Sequence, residues 1–513
     1  MGNFRKYFVY IIVGIWFFLL VLLLPRHELW YEEAHGWLFA RDSSSLVNLY
    51  QNLTYEAHPM MWYSILFGVT RITDNFYYMQ LAHIAIALIG IVVFCRYAPF
   101  RLLDKILFIF GYFVFFEYAV ISRNYGLTVL LLFIYCAWYA QRFRRLYLTA
   151  LIVGLLGQTS PVGFLFSLVL GCFLFGEYIW IYRKKVDWRI LVISLFCFVS
   201  LSGTALLKLL PPVDRSYTLD SYTHFDLQRV ALSSLMVWRG MIPIPHFGLH
   251  FWNTNIVMPV QNTESLSTTQ YVSIGIAIGL VGLFILYSCL LLVKRRVLLG
   301  LYLGAASVLF LLFYTTYYGA VRHYGFFFIL FICIVWLRSF YPEREDGLSV
   351  RSEKMYKAVN RIFPPFFTVL LSVHFVCGIY AYYADFNEPF MTSKDVSDYL
   401  KTSQLDRLPI SVDFDYAMTP IAIYLNRHLY YPRSDTVGTY VVMNTDRQAI
   451  DQSEVVRRSL AHLGGEGVML LNYRLDNPSC FELRKVFEKS LAYQDTVYIY
   501  YVSKDCLDSH GEQ

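Results

Sequence analysis

An acidic segment, Trp30-Tyr31-Glu32-Glu33-Ala34-His35, follows the first long apolar run of the chain. Carboxylates held beside a hydrophobic bundle can take a proton from a bound substrate. Adjacent helix residues point about 100° apart, so we expect Glu32 and Glu33 to divide catalysis and support between them. A structural role is also open, because acids in the first turn of a helix favour the positive end of its dipole.

Two arginines stand beside aromatic residues at the ends of later apolar runs, in Ser122-Arg123-Asn124-Tyr125 and in Val321-Arg322-His323-Tyr324. A guanidinium in such a position can pair bidentately with a phosphate diester or a departing phosphate. Snorkelling of these side chains to lipid headgroups is the alternative. A third basic side chain, His58, lies in the turn Glu56-Ala57-His58-Pro59. A single histidine in such a turn is more often a hydrogen-bonded structural residue than a catalyst.

A divalent-metal site has weak candidates in His246 and His250. Their spacing would put both imidazoles on one face of a helix. However, Pro243 and Pro245 make a helix start there uncertain, and no third ligand is evident, so the pattern favours structural histidines. No cofactor is indicated with certainty.

Composition identifies the class of protein that must position these groups. The chain has 513 residues, of which 57% are hydrophobic and 16% charged, and its mean hydropathy is +0.46. These values exclude a soluble core and predict a polytopic α-helical membrane protein. The net charge of +6 is dispersed, so it indicates topology rather than a nucleic-acid surface.

About eleven apolar runs are long enough to be predicted as transmembrane helices. They are Tyr7–Leu24, Tyr77–Cys95, Leu103–Ser122, Tyr125–Gln141, Leu146–Ser160, Pro161–Tyr182, Ile190–Leu210, Tyr271–Val293, Val297–Thr316, Val321–Phe340 and Ile362–Tyr383.

Short loops rich in lysine and arginine orient the bundle, since such loops stay cytoplasmic. The N-terminus is then cytoplasmic, provided that residues 58–72 form an interfacial helix and do not span. The outer face receives the first loop (25–76), the long loop (211–270) and the C-terminal segment. We therefore expect a membrane domain, 1–384, and an extracytoplasmic domain, 385–513.

The C-terminal segment shows short β-like runs alternating with helical ones, which predicts a small three-layer α/β domain. The predicted strands are Ile410–Phe414, Tyr440–Asn444, Gly467–Asn472 and Thr496–Val502, and the predicted helices are Ala417–Leu429, Ser453–Leu463 and Phe481–Leu491. No Gly-rich phosphate loop follows a strand, which disfavours nucleotide binding. The triplet Asp413-Phe414-Asp415 resembles the metal-binding pair of soluble sugar-nucleotide transferases, but an ordinary strand end is favoured.

Cysteine usage agrees with this layout. Seven of the nine cysteines fall in apolar spans, where a free thiol is a small apolar side chain. Cys480 and Cys506 lie in the outer domain, where an oxidising compartment would allow them to pair.

The order of these motifs resembles the GT-C superfamily of membrane glycosyltransferases, especially the branch of protein O-mannosyltransferases and lipid A aminoarabinose transferases. The shared features are the acidic pair Tyr31-Glu32-Glu33-Ala34 in the first outer loop, His58-Pro59 before an interfacial apolar helix, and the corner Arg123-Asn124-Tyr125. The likeness is specific across Leu29–Leu127, where it extends to a bacterial subgroup of these transferases. It implies a GT-C-like fold in the bacterial cytoplasmic membrane.

The resemblance also implies a reaction and roles for the residues. A sugar would move from a polyprenyl-phosphate donor to a lipid, glycan or protein acceptor on the outer face, with inversion. Glu32, at the family's usual Asp position, would be the general base, with Glu33 orienting the acceptor or assisting. The donor phosphate would be held by Arg123, Arg322, His58 and Tyr125, and the sugar or acceptor by Tyr31, Trp37 and His35. A divalent metal occurs in some members.

Two alternatives are weighed against this interpretation. Another lipid-linked group transferase would exploit the same arginines at the same surface. A non-catalytic lipid or glycan transporter would be expected to carry internal repeats and intramembrane charges, but the candidate acids Glu117 and Glu177 lie near span ends.

Overall fold

Helices dominate the fold, which is described here from a computed structural model covering residues 2–217, 224–256, 268–316, 319–343, 348–476, 480–492 and 496–504. The α-helices are α1 (Gly2–Leu23), α2 (Tyr31–Asp42), α3 (Leu46–Asn52), α4 (Met61–Thr70), α5 (Tyr77–Tyr97), α6 (Leu102–Ile109), α7 (Tyr125–Trp138), α8 (Leu146–Gly157), α9 (Pro161–Tyr182), α10 (Trp188–Leu209), α11 (Leu227–Met241), α12 (Thr268–Leu292), α13 (Arg296–Thr315), α14 (Val321–Leu337), α15 (Val350–Asn387), α16 (Ser393–Thr402), α17 (Thr419–Leu425) and α18 (Gln452–Leu463).

Within the described ranges, seven helices are long and apolar enough to cross a membrane. They correspond to seven of the predicted spans and are Tyr77–Tyr97, Pro161–Tyr182, Trp188–Leu209, Tyr271–Leu292, Arg296–Thr315, Val321–Phe340 and Val350–Asn387. Three other predicted spans appear as shorter apolar helices, Phe8–Leu23, Tyr125–Gln141 and Leu146–Gly157. The expected interfacial helix is α4, which has only 10 residues.

The outward faces of the long helices are apolar. Phe196 on α10 is 74% exposed, Trp180 on α9 is 72% exposed and Leu283 on α12 is 62% exposed. In water, such side chains would forgo roughly 25 cal/mol for every Å² of apolar area left uncovered. Faces of this kind are stable against lipid, so the prediction of a polytopic membrane protein is confirmed.

The predicted span Leu103–Ser122 is wrong as a single helix. Helix α6 ends at Ile109, and a π-helical turn, Tyr112–Glu117, follows Gly111. Residues 111–130 are all buried, so this irregular backbone is surrounded by protein, where its polar groups need no contact with lipid. The chain therefore reaches Arg123 through a buried, irregular segment and not through one regular helix that crosses the bundle.

The C-terminal domain contains a six-stranded sheet in the order β3-β2-β1-β4-β6-β5. Strand β1 is parallel to β2 and β4, and the remaining neighbours are antiparallel. Helices α16 and α17 pack on one face and α18 on the other, as a three-layer domain requires. The strands are β1 (Ile410–Val412), β2 (Leu429–Tyr431), β3 (Thr436–Gly438), β4 (Gly467–Leu471), β5 (Phe481–Phe487) and β6 (Val497–Val502).

Three local predictions in this domain are wrong. The predicted helix Phe481–Leu491 contains the edge strand β5, in which apolar and charged residues alternate from Phe481 to Arg484 before the register shifts at Lys485. The predicted strand Tyr440–Asn444 contributes only an isolated bridge between Asn444 and Arg215. The predicted helix Ala417–Leu429 ends early, because Asn426 adopts a left-handed conformation and the chain then enters β2.

Helix α2 lies between the membrane helices and the C-terminal domain. The C-terminal domain contacts this helix along its whole length. Two hydrogen bonds lie at its ends: the backbone N–H of Leu29 donates to the Tyr424 hydroxyl over 2.9 Å, and the Thr439 hydroxyl donates to the Asp42 carboxylate. Between them, two pairs of aromatic rings are in contact, Tyr31 with Tyr416 (5.3 Å) and Phe39 with Tyr440 (4.4 Å).

Close packing of α15 against the break after α6 can be tested with a glycine substitution. A Cβ added at Gly378 would lie 2.2 Å from the carbonyl oxygen of Phe110, whereas one at Gly203 would meet nothing within 4 Å. We expect Gly378→Ala to destabilise the protein by about 1–3 kcal/mol through overpacking. Gly203→Ala, the control on α10, should be neutral. Thermal unfolding in detergent measures both, and equal melting temperatures would contradict this packing.

Candidate active site around Glu32

Glu32 and Glu33 occupy the first turn of α2 but have different surroundings. The side chain of Glu32 is 25% exposed, whereas that of Glu33 is fully buried. The helix separates the two carboxylates by about 100° around its axis, so the Glu32 carboxylate reaches the surface while the Glu33 carboxylate faces the bundle. Of the two predicted catalytic acids, only Glu32 is accessible to a substrate.

Both predicted phosphate-binding arginines converge on Glu32. Nη2 of Arg123 lies 2.9 Å from Oε2 of Glu32, and Nη2 of Arg322 lies 3.2 Å from Oε1. Arg123 also donates from Nη1 to the backbone oxygen of Glu32 over 2.9 Å. The carboxylate therefore bridges two guanidinium groups that are about 200 residues apart in the chain.

The two guanidinium groups are nearly buried. Their side chains are 3% exposed for Arg123 and 7% exposed for Arg322. Although burial opposes the charge of Arg123, the nearby Glu32 carboxylate raises the pKa of Arg123 above its ordinary value. Arg322 lies over the rings of Trp30 (4.4 Å) and Trp252 (5.5 Å). Electrostatic attraction for an anion is strong in such a setting, because little water screens it.

Glu33 is a positioning group. Its Oε2 accepts a hydrogen bond from the backbone N–H of Trp30 (2.9 Å), and its Oε1 accepts one from the backbone N–H of Ser122 (2.5 Å). Because Ser122 precedes Arg123, these bonds tie the start of α2 to the corner that carries the arginine. Of the two predicted roles of Glu33, orienting the acceptor or assisting, the buried carboxylate fits assistance, and both stay predictions.

His27 connects Glu33 to the far end of α15. Its Nε2 lies 3.2 Å from Glu33 and its Nδ1 lies 2.8 Å from Asp385, with all three side chains buried. Burial opposes protonation of His27, but the charges of Asp385 and Glu33 outweigh it and raise its pKa to about 10. Burial likewise opposes ionisation of Glu33, but His27 and the two backbone N–H groups hold the pKa of Glu33 below its usual range.

His58 lies close enough to Arg123 for the two side chains to interact electrostatically. Its Nδ1 donates to the backbone oxygen of Glu56 over 2.5 Å. Burial, followed by the charge of Arg123, lowers the pKa of His58. A neutral ring with its proton on Nδ1 leaves Nε2 as an acceptor. His58 is therefore suited to receive a hydrogen bond from a hydroxyl and not to donate one to a phosphate.

Two of the other predicted site residues lie next to the Glu32 cluster. Tyr31 precedes Glu32 and is partly exposed. The Tyr125 hydroxyl lies 2.8 Å from Nε2 of His323, and Tyr125 is also close enough to Arg322 to interact with it. Trp37 has no exposed surface and packs in an apolar cluster, so the prediction that it stacks on a sugar is wrong. His35 is 6% exposed and lies 3.8 Å from a carboxylate oxygen of Glu56.

The two candidate metal ligands do not lie on a helix. Residues 243–250 form coil and turns, so the helical spacing assumed for His246 and His250 is absent. Nδ1 of His250 instead contacts the backbone oxygen of Ala492 over 2.9 Å. Within the described part of the chain, no three histidine, cysteine or acidic side chains are placed to hold a metal ion.

Several residues at this site carry no local sequence signal. His27, Asp385 and Trp252 reach it from separate segments, and only the three-dimensional fold brings them together. Glu117 is one of the two acids that would be candidates for intramembrane charges in a transporter. Its carboxylate accepts hydrogen bonds from the Trp252 indole and the Tyr112 hydroxyl, each over 3.1 Å. It therefore holds in place the Trp252 ring over which Arg322 lies.

In the outer domain, Cys480 is disulfide-bonded, whereas its predicted partner, Cys506, lies outside the described residues.

No protein-family model matches the chain, and no curated protein matches its sequence. Among solved structures, ArnT from Cupriavidus metallidurans bound to undecaprenyl phosphate is 12% identical, with a TM-score of 0.49, and the match covers 97% of this chain and 98% of that chain. A likeness at this level assigns no activity, so a function for this chain has to come from its own side chains.

The buried His27 cluster predicts a particular pH dependence of stability. Because the folded pKa of His27, about 10, exceeds its ordinary value of 6.5, its contribution is fully present below about pH 6.5 and is lost towards pH 10. We expect His27→Gln to be less stable than wild type at pH 6.5, and this difference to shrink as the pH approaches 10. His462→Gln removes a histidine stacked on Tyr430 in the outer domain and should follow wild type. Melting temperatures measured across this range give the answer, and a difference that stays constant with pH would contradict it.

Proposed function

We propose that the protein transfers a sugar from a polyprenyl-phosphate donor to an acceptor on the outer face of the bacterial cytoplasmic membrane. Glu32 is the general base, and Arg123 and Arg322 hold the donor phosphate. The observation that carries this proposal is the Glu32 carboxylate bound by two nearly buried guanidinium groups, one on each oxygen. A phosphate diester presents two oxygens in a similar arrangement, so it can compete for the same donors.

This competition links substrate binding to activation of the base. When a phosphate takes the Nη2 donors of Arg123 and Arg322, the Glu32 carboxylate loses its partners and becomes a free acceptor for a proton. Glu32 remains next to the phosphate because Arg123 also holds its backbone oxygen. The carboxylate is then near the carbon that bears the phosphate.

The chemical step is a single displacement with inversion. The acceptor hydroxyl oxygen bonds to the anomeric carbon while the bond from that carbon to the phosphate oxygen breaks. Glu32 takes the hydroxyl proton, and the polyprenyl phosphate leaves with an additional negative charge. Two fixed guanidinium groups stabilise that developing charge without having to reorganise, which is the condition under which electrostatic catalysis is most effective.

The surroundings of the site suit a lipid-borne donor. Arg322 is the second residue of α14, a helix long enough to span, and Glu32 follows α1 by only a short loop. The phosphate would thus lie near the membrane surface, with its hydrocarbon chain against apolar helix faces. The Nε2 acceptor of His58 would receive a hydrogen bond from a sugar or acceptor hydroxyl. Tyr31 would lie against the sugar, and Tyr125 would support Arg322.

Transfer assays with conservative variants test this function. Purified protein would be incubated with a panel of radiolabelled undecaprenyl-phosphate sugars and membrane extract as the acceptor source. We expect Glu32→Gln to lower the transfer rate by at least 100-fold, which is the usual contribution of a general base. Arg123→Lys and Arg322→Lys should lower it by a similar factor. A lysine at position 123 cannot hold a phosphate oxygen and the Glu32 backbone oxygen together, and a lysine at position 322 cannot lie flat over the rings of Trp30 and Trp252.

Matched controls alter a carboxylate and an arginine that do not belong to the Glu32 cluster. Glu482→Gln alters an exposed carboxylate on β5, and Arg71→Lys alters an arginine that donates to the backbone oxygen of Arg41 in the first outer loop. Both variants should transfer at the wild-type rate. Wild-type protein that consumes no donor, or a Glu32→Gln variant as active as these controls, would overturn the proposal.

A further inference from the structure

The loop after β1 alternates buried acids with partly exposed aromatic residues. Asp413 and Asp415 have fully buried side chains, whereas Phe414 and Tyr416 retain exposed surface. This loop contains the Asp-Phe-Asp triplet noted in the sequence, and it lies against the first turn of α2. Its two acids and its two aromatic residues therefore have separate tasks.

The two acids fix the backbone of the loop. Asp413 receives a bidentate contact from Arg433 (2.6 and 3.0 Å), and Asp415 receives one from Arg447 (2.8 and 3.0 Å). The hydroxyl of Tyr473 adds a third bond to Asp413 over 2.8 Å. Bidentate arginine–carboxylate pairs impose both distance and orientation, so this loop has little freedom.

Phe414 adopts a backbone conformation that bulky residues rarely occupy. Its φ of 69° and ψ of 49° lie in the left-handed region. Such a conformation persists in a large side chain only where the surroundings impose it, and it is found most often at functional sites. The two flanking arginine–aspartate pairs supply that constraint here, and the Phe414 side chain keeps part of its surface exposed.

The aromatic residues of the loop extend to the residue next to Glu32. The ring centroids of Phe414 and Tyr416 are 4.8 Å apart, and those of Tyr416 and Tyr31 are 5.3 Å apart. All three rings are partly exposed, as is the neighbouring Glu32. The outer domain thus brings two aromatic side chains to the edge of the site that also presents the carboxylate.

We propose that Phe414 and Tyr416, together with Tyr31, form an aromatic subsite for a pyranose ring. This inference rests on the proposed function and adds that the outer domain completes the substrate site. The three rings are tilted by 56° and 71° to their neighbours, so they form the sides of a cleft and not one plane. The C–H face of a pyranose is apolar, and the flat face of one of these rings can cover it while leaving the hydroxyl groups free for hydrogen bonds. The ring can belong to the sugar of the donor or to the acceptor.

Ring-removing variants with a matched control test the subsite. Phe414→Leu and Tyr416→Leu keep apolar bulk but remove the flat ring, whereas Tyr416→Phe keeps the ring and removes the hydroxyl. Phe487→Leu is the control, because Phe487 lies on the edge strand β5, three strands from β1, where its ring contacts Tyr399 of α16. For each variant, the KM values for an undecaprenyl-phosphate sugar and for the acceptor fraction would be measured, together with the affinity for undecaprenyl phosphate without a sugar.

We expect the two leucine variants to raise one KM at least 10-fold while binding the sugar-free lipid as wild type does. A raised KM for the donor places the donor sugar in the subsite, and a raised KM for the acceptor places the acceptor there. Phe487→Leu should leave both values unchanged, whereas Tyr416→Phe should raise the affected KM by less than Tyr416→Leu does, because it keeps the ring. The subsite is overturned if both KM values stay within twofold of the Phe487→Leu control, or if the leucine variants also lose the sugar-free lipid. Wild-type protein that consumes no donor would instead overturn the proposed function, and the subsite with it.

Discussion

The organisation of this protein depends on one carboxylate held between two guanidinium groups. Glu32 lies on the short helix α2, Arg123 follows a buried irregular segment, and Arg322 is in the first turn of α14, a helix long enough to span a membrane. Burying two cations is costly unless anions and aromatic faces compensate for the lost water. Glu32 and the rings of Trp30 and Trp252 supply that compensation, and a substrate phosphate can take over the part played by Glu32.

The rest of the fold holds these three residues in place from separate directions. Below α2, Glu33 joins its first turn to Ser122, and His27 joins Glu33 to the end of α15. The C-terminal domain packs along the whole of α2, from the residues before its first turn to Asp42. A geometry that tolerates errors of only about 0.5 Å needs such support, because the reacting side chains come from distant parts of the chain.

Sequence reasoning succeeded where the signal was local. Long apolar runs predicted the long spanning helices. The resemblance of the motifs to a known family, and not their placement alone, predicted that Glu32, Arg123 and Arg322 belong together. It failed where the outcome depended on contacts between distant segments. The apolar run Leu103–Ser122 looks like a span, but contact with α15 at Gly378 accompanies its break, and composition alone does not reveal this.

Burial and edge position were equally hard to predict. Trp37 lies on the same helix as Tyr31, but only the packing of the apolar cluster around it determines that Trp37 is inaccessible. The segment Phe481–Phe487 has an alternation that fits a strand, but its partner β6 lies further along the chain. The Asp413–Arg433 and Asp415–Arg447 pairs likewise join residues 20 and 32 positions apart, and no motif predicts them.

The most direct test of this account is a structure of the protein with undecaprenyl phosphate bound, determined by electron cryo-microscopy. The account predicts phosphate oxygens within hydrogen-bonding distance of Nη2 of both Arg123 and Arg322, with the Glu32 carboxylate displaced from them. A lipid phosphate bound elsewhere, with Glu32 still paired to both arginines, would contradict it.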